Sequence, residues 1–508
     1  MPSDISLSVI VFSPVVGAGI VLAQPVRTDL HRFRVRTTAL FTTVVPLLIA
    51  LFDLMSQVGT VGAGSIAQPT IDAPWLRGFF FQLDYHLGTD GLNLLVLFAA
   101  TLLFPALVLA SWRHRQHYRT YFALLLLVEV GVLGALATQD LGMFIIFFAL
   151  PILPLALLLA LGGSSGARAA ARRLLVTQSL SVAALIVATF LLLLQSGGGS
   201  LNFTNLSTVK ATQGASGLII ESLFLASFVI RMGTFPFHRW FVDGVSEGST
   251  AVGMLLAVSS LPIGAYGLIR IGLGMEPNGA LQLLTPLLAL ALVTLFWGGF
   301  CARSAQELRK IAAYSLVAVG GLVILGAGIV SETSLSGALY LVFAYLFAAP
   351  LLLLAVGAIC DRTLLARIQP LSGAAAASPR LRLFFTLAAA SLTGVPLLVG
   401  FPAVFEIAVA GLATHRFFTA LALLGLLLLT AAWWRLGHRV FSGAPNGMEP
   451  VELADSHGSE FYSGWVLGAA VILFGIFAGY FLPYTVQGTS LVAARVSSAA
   501  PVAHPKAK

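Results

Sequence analysis

Apolar residues in this chain come in long uninterrupted runs, many of roughly 18 residues or more, separated by short polar intervals. Each such run is long enough to cross a ~30 Å hydrocarbon core as a helix. The runs at 144–161 and 421–434 show none of the two-residue alternation that a membrane barrel requires. Backbone in lipid must satisfy its own hydrogen bonds, so the spans are predicted as helices. The pattern predicts an all-α, polytopic membrane protein of about fourteen transmembrane helices, near 7–24, 38–56, 91–111, 120–138, 141–161, 175–195, 217–239, 252–273, 281–301, 311–330, 335–359, 383–412, 418–434 and 463–483. It divides the chain into three N-terminal spans (1–119), two groups of five (120–273 and 281–440), and a last span with its tail (441–508). The tail from 486 is short and fairly polar, which predicts no long helix lying along the membrane after the last span.

Two of these spans are interrupted. The seventh contains Gly233-Thr234-Phe235-Pro236, and the twelfth contains Gly394-Val395-Pro396 followed by Gly400-Phe401-Pro402. Proline removes a helix hydrogen bond and clashes with the preceding turn. The interruptions lie five spans apart, which predicts two inverted five-helix repeats, spans 4–8 and 9–13, with helices 7 and 12 broken. Broken helices at corresponding places of two repeats mark ion pathways in transporters. Ordinary proline kinks, common in membrane helices, are the plain alternative.

Composition and charge sharpen this picture. Of 508 residues 58% are hydrophobic and only 9% charged, against ~25% charged in soluble domains. The net charge of +8 does not signal nucleic-acid binding. With the N-terminus outside, the loops around 25–37, 112–119, 162–174, 239–249, 302–310, 360–382 and 435–462 face the cytoplasm and hold 20 of the 28 Lys and Arg. That asymmetry is the positive-inside rule, and it supports an even number of spans. The first apolar run follows Asp4 and precedes Arg27, Arg32, Arg34 and Arg36, which fits a retained span rather than a signal peptide. Cys301 and Cys360 form no CxxC or Cys/His cluster, so no metal or Fe–S site is signalled.

The seventh span and the segment after it read Phe228-Val-Ile-Arg-Met-Gly-Thr-Phe-Pro-Phe-His-Arg-Trp-Phe-Val-Asp-Gly-Val-Ser-Glu-Gly-Ser-Thr250, and the eighth carries Gly264-Ala-Tyr-Gly-Leu-Ile-Arg270. Asp84 to Asn93 leads into span 3, Asp140 to Pro154 covers span 5, Glu307 to Ser315 enters span 10, and Gly394 to Phe401 breaks span 12. In order and spacing over roughly residues 80–410, these segments resemble the antiporter-like membrane subunits of the complex I superfamily. The nearest type is the M subunit of NADH:quinone oxidoreductase and the D subunit of its photosynthetic relative. The short tail argues against the L-type subunit of that family.

The resemblance implies ion movement through protonatable residues at mid-membrane: a span-5 Glu paired with a span-7 Lys, and further Lys or His along a central axis. Matched position by position, the span-5 Glu falls on Ala149, the span-7 Lys on Arg231, the span-8 Lys on Pro262, the span-10 His on Val319 and the span-11 His on Tyr345. The span-12 Lys or Glu falls on Val404, with Glu406 two residues on. A buried Lys releases a proton near neutral pH, whereas Arg holds its own. The chain has four Lys, none mid-span. A standard proton relay is therefore expected to be altered or lost.

The ion-pathway candidates are Glu129, Arg231, His238 and Glu406. Intramembrane charges are costly, and function or pairing is the usual reason for them. Glu129 is the expected counter-ion of Arg231, with Glu221 a weaker one about three turns away. His238 is expected to close the broken helix. Asp140 is expected to cap span 5, and Asp243 and Glu247 to lie in a solvated cytoplasmic loop. The resemblance implies a membrane-arm subunit of a proton-translocating NAD(P)H:quinone oxidoreductase-type complex in the bacterial inner membrane, without catalytic residues, cofactor or metal of its own. Its partners would be sibling membrane subunits and the lipid bilayer, with no nucleic acid. The alternatives are a subunit of a multi-subunit cation/proton antiporter, of a related hydrogenase or inorganic-carbon uptake complex, or a transport-inactive scaffold.

Overall fold

A computed structural model of the chain describes residues 3–25, 28–57, 70–78, 81–112, 114, 116–162, 164–208, 215–363, 378–442 and 454–499. Its helices are α1 (Ser3–Ala23), α2 (Asp29–Gln57), α3 (Leu94–Ala110), α4 (Tyr118–Ala137), α5 (Leu141–Ala149), α6 (Ile152–Ala160), α7 (Ser165–Ser196), α8 (Phe203–Thr208), α9 (Ala215–Met232) and α10 (Arg239–Glu247). They continue as α11 (Thr250–Gly267), a π turn at Leu268–Gly272, α12 (Leu273–Met275), α13 (Pro277–Ser304), α14 (Leu308–Ile329), α15 (Glu332–Thr363), α16 (Pro379–Leu392), α17 (Gly400–Thr414), α18 (Arg416–Ser442), α19 (Ser459–Ile476) and α20 (Ala478–Ala499).

Among the described residues, twelve helices, or helices in direct continuation, are long and apolar enough to cross a membrane. The shorter apolar helices α3 and α17, the latter following α16, lie where the pattern predicts the two remaining spans. The centre of the bundle is α11, α14 and α15, whose apolar windows are 100%, 94% and 100% buried. These helices are apolar all round, the sequence signature of an interior helix.

Glycine ends both interrupted helices in the same way. Gly233 has φ 68° and Gly394 φ 76°. The Gly233 and Gly394 amides donate to the carbonyls of Ile230 and Ser391, three residues back. The next amides, of Thr234 and Val395, donate to Val229 and Ala390, five residues back. This is the Schellman arrangement, in which a left-handed glycine lets the last turn reuse its free carbonyls. Both breaks expected from the Gly/Pro clusters are present.

Four features depart from the sequence reading. Residues 81–88 form a strand, β2 (Phe81–Gly88), paired antiparallel with β1 (Thr70–Arg77) and extended by β3 (Gly199–Ser200). Phe81, Leu83, Tyr85 and Leu87 alternate with Gln82, Asp84 and His86, a two-residue period too short to register in a search for spans. α7 starts ten residues before the predicted span, so Arg168, Arg172 and Arg173 sit on helix rather than loop; long basic stems can run along an apolar helix with the charge in water. Residues 239–247, expected as a solvated loop, are the helix α10, with Trp240, Phe241, Val242 and Val245 buried. Finally, the chain does not stop at the last span. α20 crosses the ends of other helices, with Tyr484 donating to the Gln57 carbonyl at 3.0 Å and Thr489 to the Glu332 carbonyl at 3.2 Å.

Candidate functional site

The polar centre lies where α7, α9 and α11 meet beside α5. α7 carries Leu174, Gln178, Ser181 and Leu185 on its buried face, spaced three and four apart. Opposite, α9 presents Ser227 and Arg231. Ser181 and Ser227 join the two helices reciprocally, each hydroxyl donating to the other residue's carbonyl at 2.8 Å. One turn further along α9, Arg231 is 2% exposed. Its Nη1 donates to Gln178 Oε1 at 3.1 Å and its Nε to the Ser259 carbonyl of α11 at 3.2 Å. The guanidinium carbon sits 4.7 Å from the centre of the Phe148 ring.

The expected pairing of Arg231 with Glu129 is therefore corrected. Glu129 is fully buried on α4, and neither carboxylate oxygen has a hydrogen-bond partner among the described residues. Glu221 is also fully buried, and its carboxylate oxygens have no hydrogen-bond partner among the described residues. It is ten residues from Arg231 on one helix, about 15 Å along the axis at 1.5 Å per residue. The cation is held instead by an amide, a backbone carbonyl and an aromatic face. Each hydrogen bond to a charged group is worth about 1.5–3 kcal/mol and a desolvated cation–π contact about 2. The span-5 residue facing the cation is Phe148, while Ala149, where the resemblance puts the family carboxylate, is half-buried at the end of α5.

His238 opens α10 and ties it to α13: the Trp297 indole donates to its Nε2 at 3.2 Å. Its ring lies among those of Phe235, Trp297 and Tyr314, and Nδ1 has no partner among the described residues. The Trp240 indole closes the break from the other side by donating to the Ile230 carbonyl at 3.3 Å. Glu406 stands apart on α17, beside the Ser336 hydroxyl of α15, which shares a 2.8 Å bond with Thr485 of α20. The four candidates do not converge on one site; Glu129, Arg231, His238 and Glu406 occupy separate settings.

At the hairpin end a second, partly buried network forms. Arg270, on the π turn, donates to Asp90 Oδ2 at 2.5 Å and to Gln139 Oε1, and lies over the Phe203 and Tyr266 rings. Asp140 caps α5 as expected, accepting from the Gly142 and Met143 amides at 2.8 and 3.0 Å. Burial pushes its carboxyl up to about 6, despite those donors. At the arginine-rich end, Arg362 grips Glu460 through both oxygens at 3.1 and 2.7 Å. Asp243 pairs with Arg173 of α7, so it is an anchor of α10 rather than a loop charge.

Gln178, Ser259 and Phe148 were not singled out by sequence. The only signal was a lone amide at the centre of an apolar run, on the face defined by Leu174, Ser181 and Leu185.

Residues 138–430 match the transmembrane family described as NADH:quinone oxidoreductase/Mrp antiporter. The chain is 27% identical to NAD(P)H-quinone oxidoreductase chain 4 2 of Thermosynechococcus vestitus, over 65% of this chain and 61% of that one. It is also 27% identical to NADH-quinone oxidoreductase subunit M of Rhodobacter capsulatus, over 78% of each chain. Its fold matches a chain of respiratory complex I from Thermus thermophilus with a TM-score of 0.84 at 23% identity, covering 97% of this chain and 99% of that one. This chain belongs to the NADH:quinone oxidoreductase/Mrp antiporter transmembrane family.

Proposed function

We propose that this chain is an antiporter-like, M-type subunit in the membrane arm of a proton-translocating NAD(P)H:quinone oxidoreductase-type complex of the bacterial inner membrane, and that its own central relay has been replaced by a fixed charge. Redox chemistry belongs to partner subunits in this reading. The observation that carries the fixed charge is Arg231 in a neutral cage of Gln178, Ser259 and Phe148. An arginine in such a cage keeps its proton through the cycle, where a lysine–glutamate pair would exchange one. Ala149, Pro262, Val319 and Val404 offer no protonatable side chain at four of the other matched positions, and Tyr345 at the fifth carries a phenol, which keeps its proton at neutral pH. Glu129, Glu221 and Glu406 are the carboxyls left to answer a charge arriving from a neighbour.

The arrangement of spans 4–8 and 9–13 as inverted repeats is part of the same reading, supported by the identical Schellman caps at Gly233 and Gly394. The test is purification from native membranes in mild detergent, with identification of the retained subunits and assay of NAD(P)H:quinone reduction. Recovery with quinone-reducing partners is expected. Recovery with partners that form a cation/proton antiporter and no redox subunit would overturn the reading.

A further inference from the structure

The two helix breaks are finished differently. At the seventh span Gly233 and Thr234 are buried, and the Trp240 indole shares the Ile230 carbonyl with the Gly233 amide, while Pro236 and Phe237 are exposed. At the twelfth span α19 covers one side of the apex, where the Val399 amide donates to the Val471 carbonyl at 3.0 Å, and the other side lies open: Leu397 is 71% and Val395 42% exposed. α16 has 14 residues and α17 has 15, about 21 and 22 Å of helix on either side, which puts the apex near mid-membrane. Pro396 has no N–H, and the Leu397 N–H has no partner among the described residues. Leu397 also has φ 72°, a left-handed backbone that an L side chain rarely adopts.

Lipid tails cannot cover such a segment. They bring no hydrogen-bond acceptor, and irregular backbone at this depth occurs only where protein buries it or water fills a cavity beside it. Water is disfavoured because the exposed side chains around the apex are Val395, Leu397 and Phe405; an apolar surface does not hold water. A second copy of this chain fits poorly. A two-fold axis through the apex would set the same donor against itself.

Resting on the reading above, we infer that the α16–α17 break is the seat of a transmembrane helix from a different subunit of the same assembly. That helix receives the Leu397 side chain and brings a carbonyl or hydroxyl oxygen to the Leu397 N–H. Glycine would relieve the backbone at 397, so the retained leucine is explained as an anchor.

The test places a benzophenone amino acid at position 397 of the full chain and irradiates native membranes, then identifies adducts by mass. An adduct with a different membrane subunit is expected; adducts with lipid alone, or with a second copy, overturn the inference. Leu397→Gly provides an independent arm. The variant should leave the level of the subunit unchanged or raised, while its retention in the complex at rising detergent falls several-fold. Retention equal to the unaltered complex overturns the inference. A chain recovered without any membrane partner refutes the parent reading as well. Recovery with partners but lipid-only adducts refutes this inference alone.

Discussion

Removing one acceptor from the Arg231 cage should cost more than removing the charge together with its acceptor. Gln178→Leu keeps the volume of the side chain but deletes the oxygen that receives Arg231 Nη1 at 3.1 Å. Arg231 Nη2 already has no partner among the described residues, so little slack remains. A lost hydrogen bond to a buried charge costs about 1.5–3 kcal/mol, and Gln178→Leu is expected near 2. Arg231→Met removes the ion and leaves neutral acceptors. The double variant exchanges a buried polar set for apolar side chains of similar size, a change that is neutral or stabilising by about 1–4 kcal/mol elsewhere. The cycle is read by unfolding the purified subunit in mixed micelles with increasing dodecyl sulfate, following tryptophan fluorescence. The double variant should be at least as stable as Gln178→Leu, with a coupling of about 2 kcal/mol. Glu129→Gln should leave the Arg231 coupling untouched. A harmless Gln178→Leu, or a double variant less stable than either single one, would refute the cage. A coupling between Arg231 and Glu129 of that size would restore the ion pair.

Three further outcomes follow from the same geometry. Asp140 holds its proton more tightly when folded (about 6) than at the ordinary 3.8, so its stabilising contribution is full below about pH 4 and lost as pH rises through 6. The two-unit gap corresponds to at most about 3 kcal/mol; Asp140→Asn, which still caps, should flatten the melting temperature between pH 5 and 7.5. Asp90→Asn leaves the Arg270 guanidinium without its counter-charge and should cost about 3–5 kcal/mol, seen as a fall in the steady-state level of the subunit in membranes. Gly264→Ala would place a Cβ 2.5 Å from Met232 Cγ and 3.0 Å from the Phe228 carbonyl. Pushing α11 off α9 should cost about 1–3 kcal/mol and increase proteolysis of the purified subunit, whereas Gly19→Ala, with open space around it, should not.

The spans were legible because a membrane helix writes itself as a long apolar run, and both breaks because left-handed glycine beside proline leaves a local signature. The β1–β2 hairpin was hidden by its eight-residue strands, and α10 by its charged residues Arg239, Asp243 and Glu247, which read as a solvated loop although its other face is buried. The Arg231 site was half legible. The cation stood out, but its partners did not, since the Ser259 contribution is a backbone carbonyl and Phe148 is one aromatic among 35 phenylalanines. Looking for a carboxylate led to Glu129, because attraction between charges is the obvious remedy for an ion in lipid. Neutral acceptors and a ring face can also hold it, and nothing in a sequence marks which carbonyl will be near.

The central claim is that Arg231 is a fixed charge and not a proton carrier. Its most direct test is the number of protons translocated per quinol formed by the assembled complex in proteoliposomes, compared between the unaltered protein and the Arg231→Met, Gln178→Leu double variant. The account predicts the same ratio with the complex intact. A ratio that falls while assembly and quinone reduction are unchanged would contradict it and make Arg231 part of the relay.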